Sequence, residues 1–152
     1  VKEAMKTLSD KGFKFIVISN QAGVARGMIS PGELDMITKN MEKELAELSI
    51  EVLQTYICPH HWDDGCSCRK PKPGMFYQAS EDWLFRLDKA IFVGDDSRDC
   101  QAAFNAGCAS IFLGHKHELK GLKREELPIG IHPNFLEALP DIIKHYQHYE
   151  NI

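Results

Sequence analysis

The chain has 152 residues, enough for one domain with an ordinary hydrophobic core, and its 43% hydrophobic and 26% charged residues are typical of globular proteins. A net charge of -4 excludes a general attraction to nucleic acid or to anionic membranes, so any recognition of phosphate has to be local. No apolar run approaches the length of a membrane span, and we therefore expect a cytoplasmic protein with reduced cysteines.

The first half of the chain predicts two helices and two strands in alternation. Residues 1–12 have a helical pattern that stops at a glycine, and the apolar run 13–20 has the composition of a strand buried on both faces. Ser30 followed by proline indicates the start of a helix that continues to Leu48, and residues 51–59 predict a second strand. This helix carries one apolar stripe, which we expect to lie in the core: Leu34, Ile37, Met41, Leu45 and Leu48.

The loop over residues 58–74 carries a complete set of zinc ligands. Three thiolates and one imidazole at short spacing form the combination that closes a tetrahedral structural zinc site. The four residues are Cys58, His60, Cys66 and Cys68. A disulfide or a chance cluster is the alternative, but Cys66 and Cys68 are too close in sequence for an unstrained bridge, and five cysteines is an odd number. His61 could replace His60 as the fourth ligand.

The second half of the chain repeats the alternation of helices and strands. The predicted elements are a helix over 75–87, a strand over 89–96, a helix over 97–107, a strand over 109–114, a loop over 115–128 and a helix over 133–149 interrupted at Pro140. Strands that alternate with helices predict an α/β fold with a parallel sheet.

Polar residues follow three of the predicted strands, where open parallel sheets bind their ligands. They are residues 19–21, the pair Arg69 and Lys70 in the cysteine loop, and residues 94–99. Each has an ordinary explanation when taken alone: a loop that satisfies its own backbone, an exposed basic pair, and a turn with a helix cap. Together they offer hydroxyl and amide donors, a cation and carboxylates, which suit a phosphoryl group and a divalent metal such as Mg²⁺.

The order SNQ, CPHH…CSCRKPKPGM and GDDSRDCQAAFNAG resembles the haloacid dehalogenase superfamily of phosphatases. Within it, the pattern is similar to the heptose bisphosphate phosphatases and to their sister family, the histidinol-phosphate phosphatases. The resemblance runs from roughly Lys11 to Gly114. It implies one domain over residues 1–152 with a Rossmann-like three-layer sandwich and a mostly parallel sheet. It also implies a monomer that hydrolyses a small sugar phosphate with Mg²⁺ and a structural zinc, and binds neither nucleic acid nor membrane.

The resemblance assigns roles to the residues after the first predicted strand. Ser19 is similar to the hydroxyl residue that binds the phosphoryl group being transferred, and is expected to be catalytic. Asn20, Gln21 and Ala22 follow it in the loop that binds substrate.

Further roles are implied by the same resemblance in the two later segments. Arg69 is similar to the arginine that recognises substrate, and Lys70 to the lysine that offsets phosphate charge. Asp95 resembles the Mg²⁺ ligand, and Asp99 the acidic residue that supports the metal site. Asp96 stands at a substrate-contacting position where some relatives carry lysine.

One motif of the superfamily is missing from these 152 residues. In such enzymes an aspartate at the end of the first strand attacks phosphorus, and a second aspartate two residues later acts as general acid and base. The D-x-D-G-T motif that carries them does not occur here. In this superfamily the motif strand lies between the SNQ and GDD strands, and its loss would expose two strand edges. We therefore expect the motif upstream of Val1; the alternative is a non-catalytic relative that keeps the phosphate and metal pocket.

Overall fold

The computed structural model describes residues 1–21, 27–60 and 65–150, with side chains up to residue 146. Two compact units can be distinguished, one spanning Lys2–Arg69 and the other beginning at Lys70. Within the described ranges, no helix is both long and apolar enough to cross a membrane. The expectation of a single domain over the whole chain stays a prediction.

The first unit contains two helices and two parallel strands: α1 (Lys2–Asp10), β1 (Phe15–Asn20), α2 (Pro31–Glu47) and β2 (Val52–Cys58). Asn20 lies opposite Cys58 at the carboxyl ends of the two strands. The backbone N–H of Gln21 donates to the carbonyl of Cys58 at 2.7 Å and so extends the pairing by one step. The segment after β1 and the start of the cysteine loop therefore meet at one edge of this sheet.

The ends of the two helices follow the signals in the sequence. Gly12, just after α1, has a φ of 91°, which glycine adopts without steric cost. At the start of α2 the Ser30 hydroxyl accepts a hydrogen bond from the Glu33 backbone N–H at 3.1 Å, and proline occupies the first helical position. The predicted N-cap is confirmed.

The apolar stripe of α2 lies only partly in the core, contrary to the sequence prediction. Leu45 is 5% exposed, but Ile37 is 58% and Leu48 42% exposed. The helix is turned so that the neighbouring face meets β2, where the Thr55 hydroxyl donates to Glu42 at 2.8 Å. Because Ile37 and Leu48 lie on the side of the stripe away from that bond, they face solvent.

The second unit contains a three-stranded parallel sheet in the order β3-β4-β5. Its helices and strands are α3 (Gly74–Trp83), β3 (Ile91–Gly94), α4 (Ser97–Ala106), β4 (Ala109–Leu113), β5 (Gly130–His132) and α5 (Phe135–Glu150). Cys100, Phe112 and Leu119 form a buried cluster against which Leu122 and Ile131 pack. Both sheets are parallel, and the predicted α/β fold class is confirmed.

Two predictions for the end of the chain are wrong. The polar stretch 115–128 contains two 3₁₀ segments and buries Leu119 at 3% exposure, and it leads into β5, which is too short for a periodic pattern to reveal. Helix α5 continues through Pro140. Proline there removes one backbone hydrogen bond, and the rest of a sixteen-residue helix can offset that loss.

Candidate active site and metal centre

The four predicted zinc ligands lie together in the first unit. The metal-binding atoms of Cys58, His60, Cys66 and Cys68 all lie within 4.8 Å of one another, and Cys58, at the end of β2, is buried. Strand β2 fixes the first ligand and the loop brings the other three to it. The coarser prediction, a cluster able to hold a metal ion, is confirmed. His61 lies outside the described residues.

The spacing of these atoms fits a tetrahedral zinc. Zinc bonds of about 2.3 Å to sulfur and about 2.0–2.1 Å to nitrogen give ligand-to-ligand distances of roughly 3.5–3.8 Å. The Cys58 sulfur lies 3.4 Å from His60 Nδ1 and 3.6 Å from the Cys66 sulfur, and His60 Nδ1 lies 3.2 Å from the Cys68 sulfur. The 2.8 Å between the sulfurs of Cys58 and Cys68 is shorter, so binding would move them apart by about 1 Å.

The three thiols titrate differently because each has different neighbours. Burial raises the pKa of Cys58, and burial with the hydrogen bonds to Cys58 and Cys66 raises the pKa of Cys68 to about 12. Burial opposes ionisation of Cys66 too, but hydrogen bonds from the Arg69 backbone and from the other two thiols bring its pKa to about 6. Metal binding would displace the protons of these thiols, because the thiolate is the form that binds a metal ion.

Polar side chains lie at the carboxyl end of β1 and just after it. Gln21 donates through Nε2 to the Ser19 hydroxyl oxygen at 2.8 Å. Because this hydroxyl accepts that bond, its own proton can be donated to another acceptor. Arg69 reaches the carbonyl of His60 through Nη1 at 3.4 Å, which ties its guanidinium to the cysteine loop. Asn20 lies at the end of β1, and Ala22 lies outside the described residues.

Lys70 and Asp99 form a buried ion pair in the second unit. The Lys70 ammonium lies 2.6 Å from Asp99 Oδ1, and the two side chains are 12% and 8% exposed. The ammonium also lies 5.3 Å from the ring centroid of Phe92. A charged pair removed from water needs this close geometry to offset its desolvation. The structure thus joins two predicted site residues that are 29 positions apart.

The turn between β3 and α4 holds Asp99 in place. Asp99 Oδ2 accepts a hydrogen bond from the Asp96 backbone N–H at 3.1 Å, while the Asp96 carboxylate caps the first turn of α4. Arg98 donates three hydrogen bonds to the same carboxylate, from its backbone N–H at 2.9 Å, from Nε at 3.1 Å and from Nη2 at 2.9 Å. These bonds from Arg98 hold the pKa of Asp96 below its usual range. Asp96 is therefore an anionic helix cap, and its predicted contact with substrate stays a prediction.

Asp95 has a different environment from its two aspartate neighbours. It follows the last residue of β3 and its side chain is exposed. Within the described part of the chain, no hydrogen bond or ion pair engages its carboxylate. Among the described residues, Asp95 is thus the aspartate of this turn whose oxygens could bind a cation.

Three residues that shape this site had no site role predicted from the sequence, although two of them lie in the segment 94–99. Gly94 lets α4 approach the end of β3, Arg98 pairs with Asp96, and Asn105 donates to the Pro71 carbonyl at 2.9 Å. The position of Gly94 just before a capped helix was a signal in the sequence that the backbone is closely approached at this point. The contact of Asn105 joins residues 34 positions apart, and no local pattern predicts it.

The fold of this chain is similar to that of solved phosphatase structures. The crystal structure of the D,D-heptose 1,7-bisphosphate phosphatase from Bordetella bronchiseptica, complexed with magnesium and phosphate, superposes with a TM-score of 0.83 at 30% identity. The match covers 94% of this chain and 81% of that one. A proposed haloacid dehalogenase-like phosphatase from Mesorhizobium loti, 22% identical with a TM-score of 0.79, shares the fold. The parallel α/β fold of this chain is thus the fold of these phosphatase structures.

Sequence comparison specifies the family. The model of the polynucleotide kinase 3 phosphatase family matches residues 1–111. The D-glycero-beta-D-manno-heptose-1,7-bisphosphate 7-phosphatase of Bordetella bronchiseptica is 36% identical over 128 residues, which are 84% of this chain and 72% of that protein. The enzyme of the same name from Pseudomonas aeruginosa is 39% identical over 111 residues, 73% of this chain and 62% of that protein. The chain belongs to the polynucleotide kinase 3 phosphatase family, and it is similar in sequence to heptose bisphosphate phosphatases.

The chain is shorter than these relatives. It spans between 62% and 72% of the length of eight curated relatives that it matches, and less than two thirds of most of them.

Proposed function

We propose that this chain is part of a Mg²⁺-dependent phosphatase that removes one phosphate from a small sugar bisphosphate, with D-glycero-D-manno-heptose 1,7-bisphosphate as the first candidate substrate. The observation that carries the proposal is the Lys70–Asp99 pair, a buried cation 2.6 Å from a carboxylate beside the end of a parallel strand. The relatives named above support the substrate, since two of them carry that activity in their names. We further predict a monomer located in the cytoplasm.

Lys70 and Ser19 would act on the phosphoryl group. The ammonium of Lys70 lies against Asp99, and we propose that it also donates to phosphoryl oxygens and offsets their charge. The Ser19 hydroxyl already accepts a hydrogen bond from Gln21 and can donate its own proton to the phosphoryl group. Such donors lower the barrier by stabilising charge where it changes in the transition state.

The residues of the β3–α4 turn suit a magnesium ion. Oxygen ligands are what Mg²⁺ prefers, and it commonly takes one or two carboxylates with waters and phosphate oxygens completing the octahedron. Asp95 would be the ligand from this turn. Asp99 would support the site from outside the coordination sphere, because Lys70 and the Asp96 N–H already engage its two oxygens. When bound, Mg²⁺ would neutralise charge on the phosphoryl oxygens.

The cysteine cluster would hold a structural zinc. Its four ligands leave no coordination position for water or substrate, so the ion would shape the loop and take no part in the reaction. The support is the ligand set and the spacing described above. The loop so formed carries Arg69, whose planar guanidinium suits the second phosphate of a bisphosphate.

A second candidate function is a non-catalytic phosphate-binding protein. One observation favours it: none of the 152 residues supplies a D-x-D pair after an apolar strand. Both candidate functions predict that the protein binds phosphate, because binding needs only Lys70 and Asp95. They differ in whether the phosphate ester is hydrolysed, because hydrolysis by this family's chemistry needs a carboxylate nucleophile.

The proposal is tested with a protein in which an engineered strand carrying D-x-D precedes Val1. The measurement is the rate at which this protein hydrolyses phosphate esters. We expect Mg²⁺-dependent hydrolysis with a higher kcat/KM for heptose 1,7-bisphosphate than for histidinol phosphate. The Arg69→Ala variant should lose more on the bisphosphate than on the monophosphate. Arg86→Ala is the matched control, since Arg86 is an exposed arginine paired with Asp88.

Each result of this experiment has a defined meaning. Preference for histidinol phosphate would replace the heptose assignment by that of the sister family. Equal losses on both substrates in Arg69→Ala would remove its role in recognition. Phosphate binding without any turnover would favour the non-catalytic candidate.

A further inference from the structure

The last turn of α4 is tied to the segment that carries Lys70. Nδ2 of Asn105 donates to the carbonyl oxygen of Pro71 at 2.9 Å. The carbonyl oxygen of Asn105 accepts a hydrogen bond from the Tyr77 hydroxyl of α3 at 3.1 Å. Asn105 is therefore a junction between α3, α4 and the residues just after Lys70.

Helix α4 holds this segment at two separate points. Asp99, in its first turn, binds the ammonium of Lys70, and Asn105, in its last turn, binds the carbonyl one residue further along the chain. Asp99 and Asn105 are six residues apart within the ten-residue helix, about 9 Å along its axis. Both the end of the lysine side chain and the backbone beside it are thus attached to one rigid element.

A lysine needs both attachments to be well placed. Its flexible four-carbon stem has many rotamers, and holding the ammonium alone leaves the backbone free to shift beneath it. Holding the backbone alone leaves the stem free to rotate. The combination favours the arrangement in which the Lys70 ammonium lies on Asp99 and beside Phe92.

We propose that Asn105 is a positioning residue whose hydrogen bond to the Pro71 carbonyl keeps the Lys70 ammonium placed for a phosphoryl oxygen. Asn105 itself is exposed and would not touch the substrate. The role of Lys70 in binding phosphate rests on the proposed function, whereas the effect of Asn105 on the placement of Lys70 does not.

Amine labelling measures the placement of Lys70 directly. Acetylation of the full chain, followed by mass spectrometry, compares Lys70, whose side chain is 12% exposed, with the exposed Lys72 of the same segment. Asn105→Asp keeps the shape and removes the donor, and should raise the labelling of Lys70 relative to Lys72 roughly three- to tenfold. The matched control is Asn134→Asp: Asn134 accepts a hydrogen bond from the Glu137 N–H, which a carboxylate can accept equally well. An unchanged ratio in Asn105→Asp overturns the proposal.

A second variant separates the lost donor from the added charge. Asn105→Ala removes the hydrogen bond without introducing a carboxylate, and should loosen Lys70 to a similar extent. If only Asn105→Asp raises the labelling, the charge is responsible and the positioning role is refuted.

Binding of inorganic phosphate in the presence of Mg²⁺ connects placement to function. Asn105→Ala should weaken it roughly three- to tenfold, while Asn134→Asp leaves it unchanged. Lack of phosphate binding by the parent chain would count against the proposed function, and the labelling result would still decide the placement of Lys70. Equal phosphate affinity in the parent and in a variant with a loosened Lys70 would overturn the link to the phosphoryl group.

Discussion

The carboxyl group of Asp99 occupies the space that a β-carbon on residue 94 would need. A β-carbon built on Gly94 would lie 2.6 Å from the Cβ and from the Cγ of Asp99. Glycine at the end of β3 therefore lets the first turn of α4 come close enough for Asp99 to reach both the Asp96 backbone and Lys70. The absence of a side chain at Gly94 therefore determines where the buried carboxylate of Asp99 lies.

Gly94→Ala tests this close approach. The added methyl group should push Asp99 away from Lys70, lower the free energy of unfolding by roughly 1–3 kcal/mol and weaken Mg²⁺-dependent phosphate binding. Gly121→Ala is the control, because a β-carbon there would have no described atom within 4 Å apart from its chain neighbours. Denaturant unfolding and phosphate titration give the two readouts. Equal stability of the two variants would show that Asp99 tolerates displacement.

Lys70→Met tests the ion pair. Removing the ammonium leaves the Asp99 carboxylate buried without its partner, and we expect a loss of about 3–5 kcal/mol in the free energy of unfolding. The double variant Lys70→Met with Asp99→Asn should recover part of that loss, because no unpaired buried charge remains. Unfolding curves of the parent, the two single variants and the double variant complete the cycle. Additive effects would mean that the two residues do not interact energetically.

Zinc content tests the metal centre. We expect one zinc per chain, and its removal by a chelator should lower the melting temperature, because binding energy is part of the folding energy at such sites. Cys66→Ser should abolish zinc binding, whereas Cys108→Ser, a change at a buried thiol that donates to the Ala90 carbonyl, should keep it. Metal analysis together with thermal unfolding provides the measurement. Full zinc content in Cys66→Ser would exclude the proposed ligand set.

The cap of α4 should contribute stability that depends on pH. Hydrogen bonds from Arg98 lower the pKa of Asp96 in the folded state. The contribution of Asp96 to the free energy of unfolding is therefore complete above its pKa in the unfolded chain, about 3.9, and is lost as the pH falls through its pKa in the folded state. Asp96→Asn keeps a capping acceptor but loses the charge. We expect the parent to be more stable at neutral pH by less than about 1 kcal/mol, because the Asp96–Arg98 pair is 43% and 49% exposed.

Unfolding of both proteins between neutral pH and acid checks the sign of this effect. The difference should shrink as the pH falls below about 3.9, because the unfolded chain then binds a proton at Asp96 while the folded cap, with its lowered pKa, is still ionised. A constant difference across the range would assign the stability to hydrogen bonding alone.

Local patterns were sufficient for much of the fold and for the metal centre. The Cys₃His set could be predicted because its ligands lie within eleven residues, so the chain cannot carry them far apart. The cap at Ser30 was predictable for the same reason, since it involves contacts three residues away. The strand ends were indicated by apolar runs that stop at polar residues, and parallel pairing then brings Asn20 beside Cys58.

Contacts between distant segments were decided only by the tertiary structure. The pairing of Lys70 with Asp99 and the tie from Asn105 to Pro71 join residues about thirty positions apart, for which the sequence contains no periodic signal. The turning of α2 that exposes Ile37, and the passage of α5 through Pro140, depend on packing that outweighs local preference. The sequence by itself determined which chemical groups stand at the ends of the strands, because composition and spacing are local properties. Which of those groups is buried, paired or open to a ligand was determined by the packing of α4 against β3, because burial and pairing depend on neighbours that only the folded chain brings together.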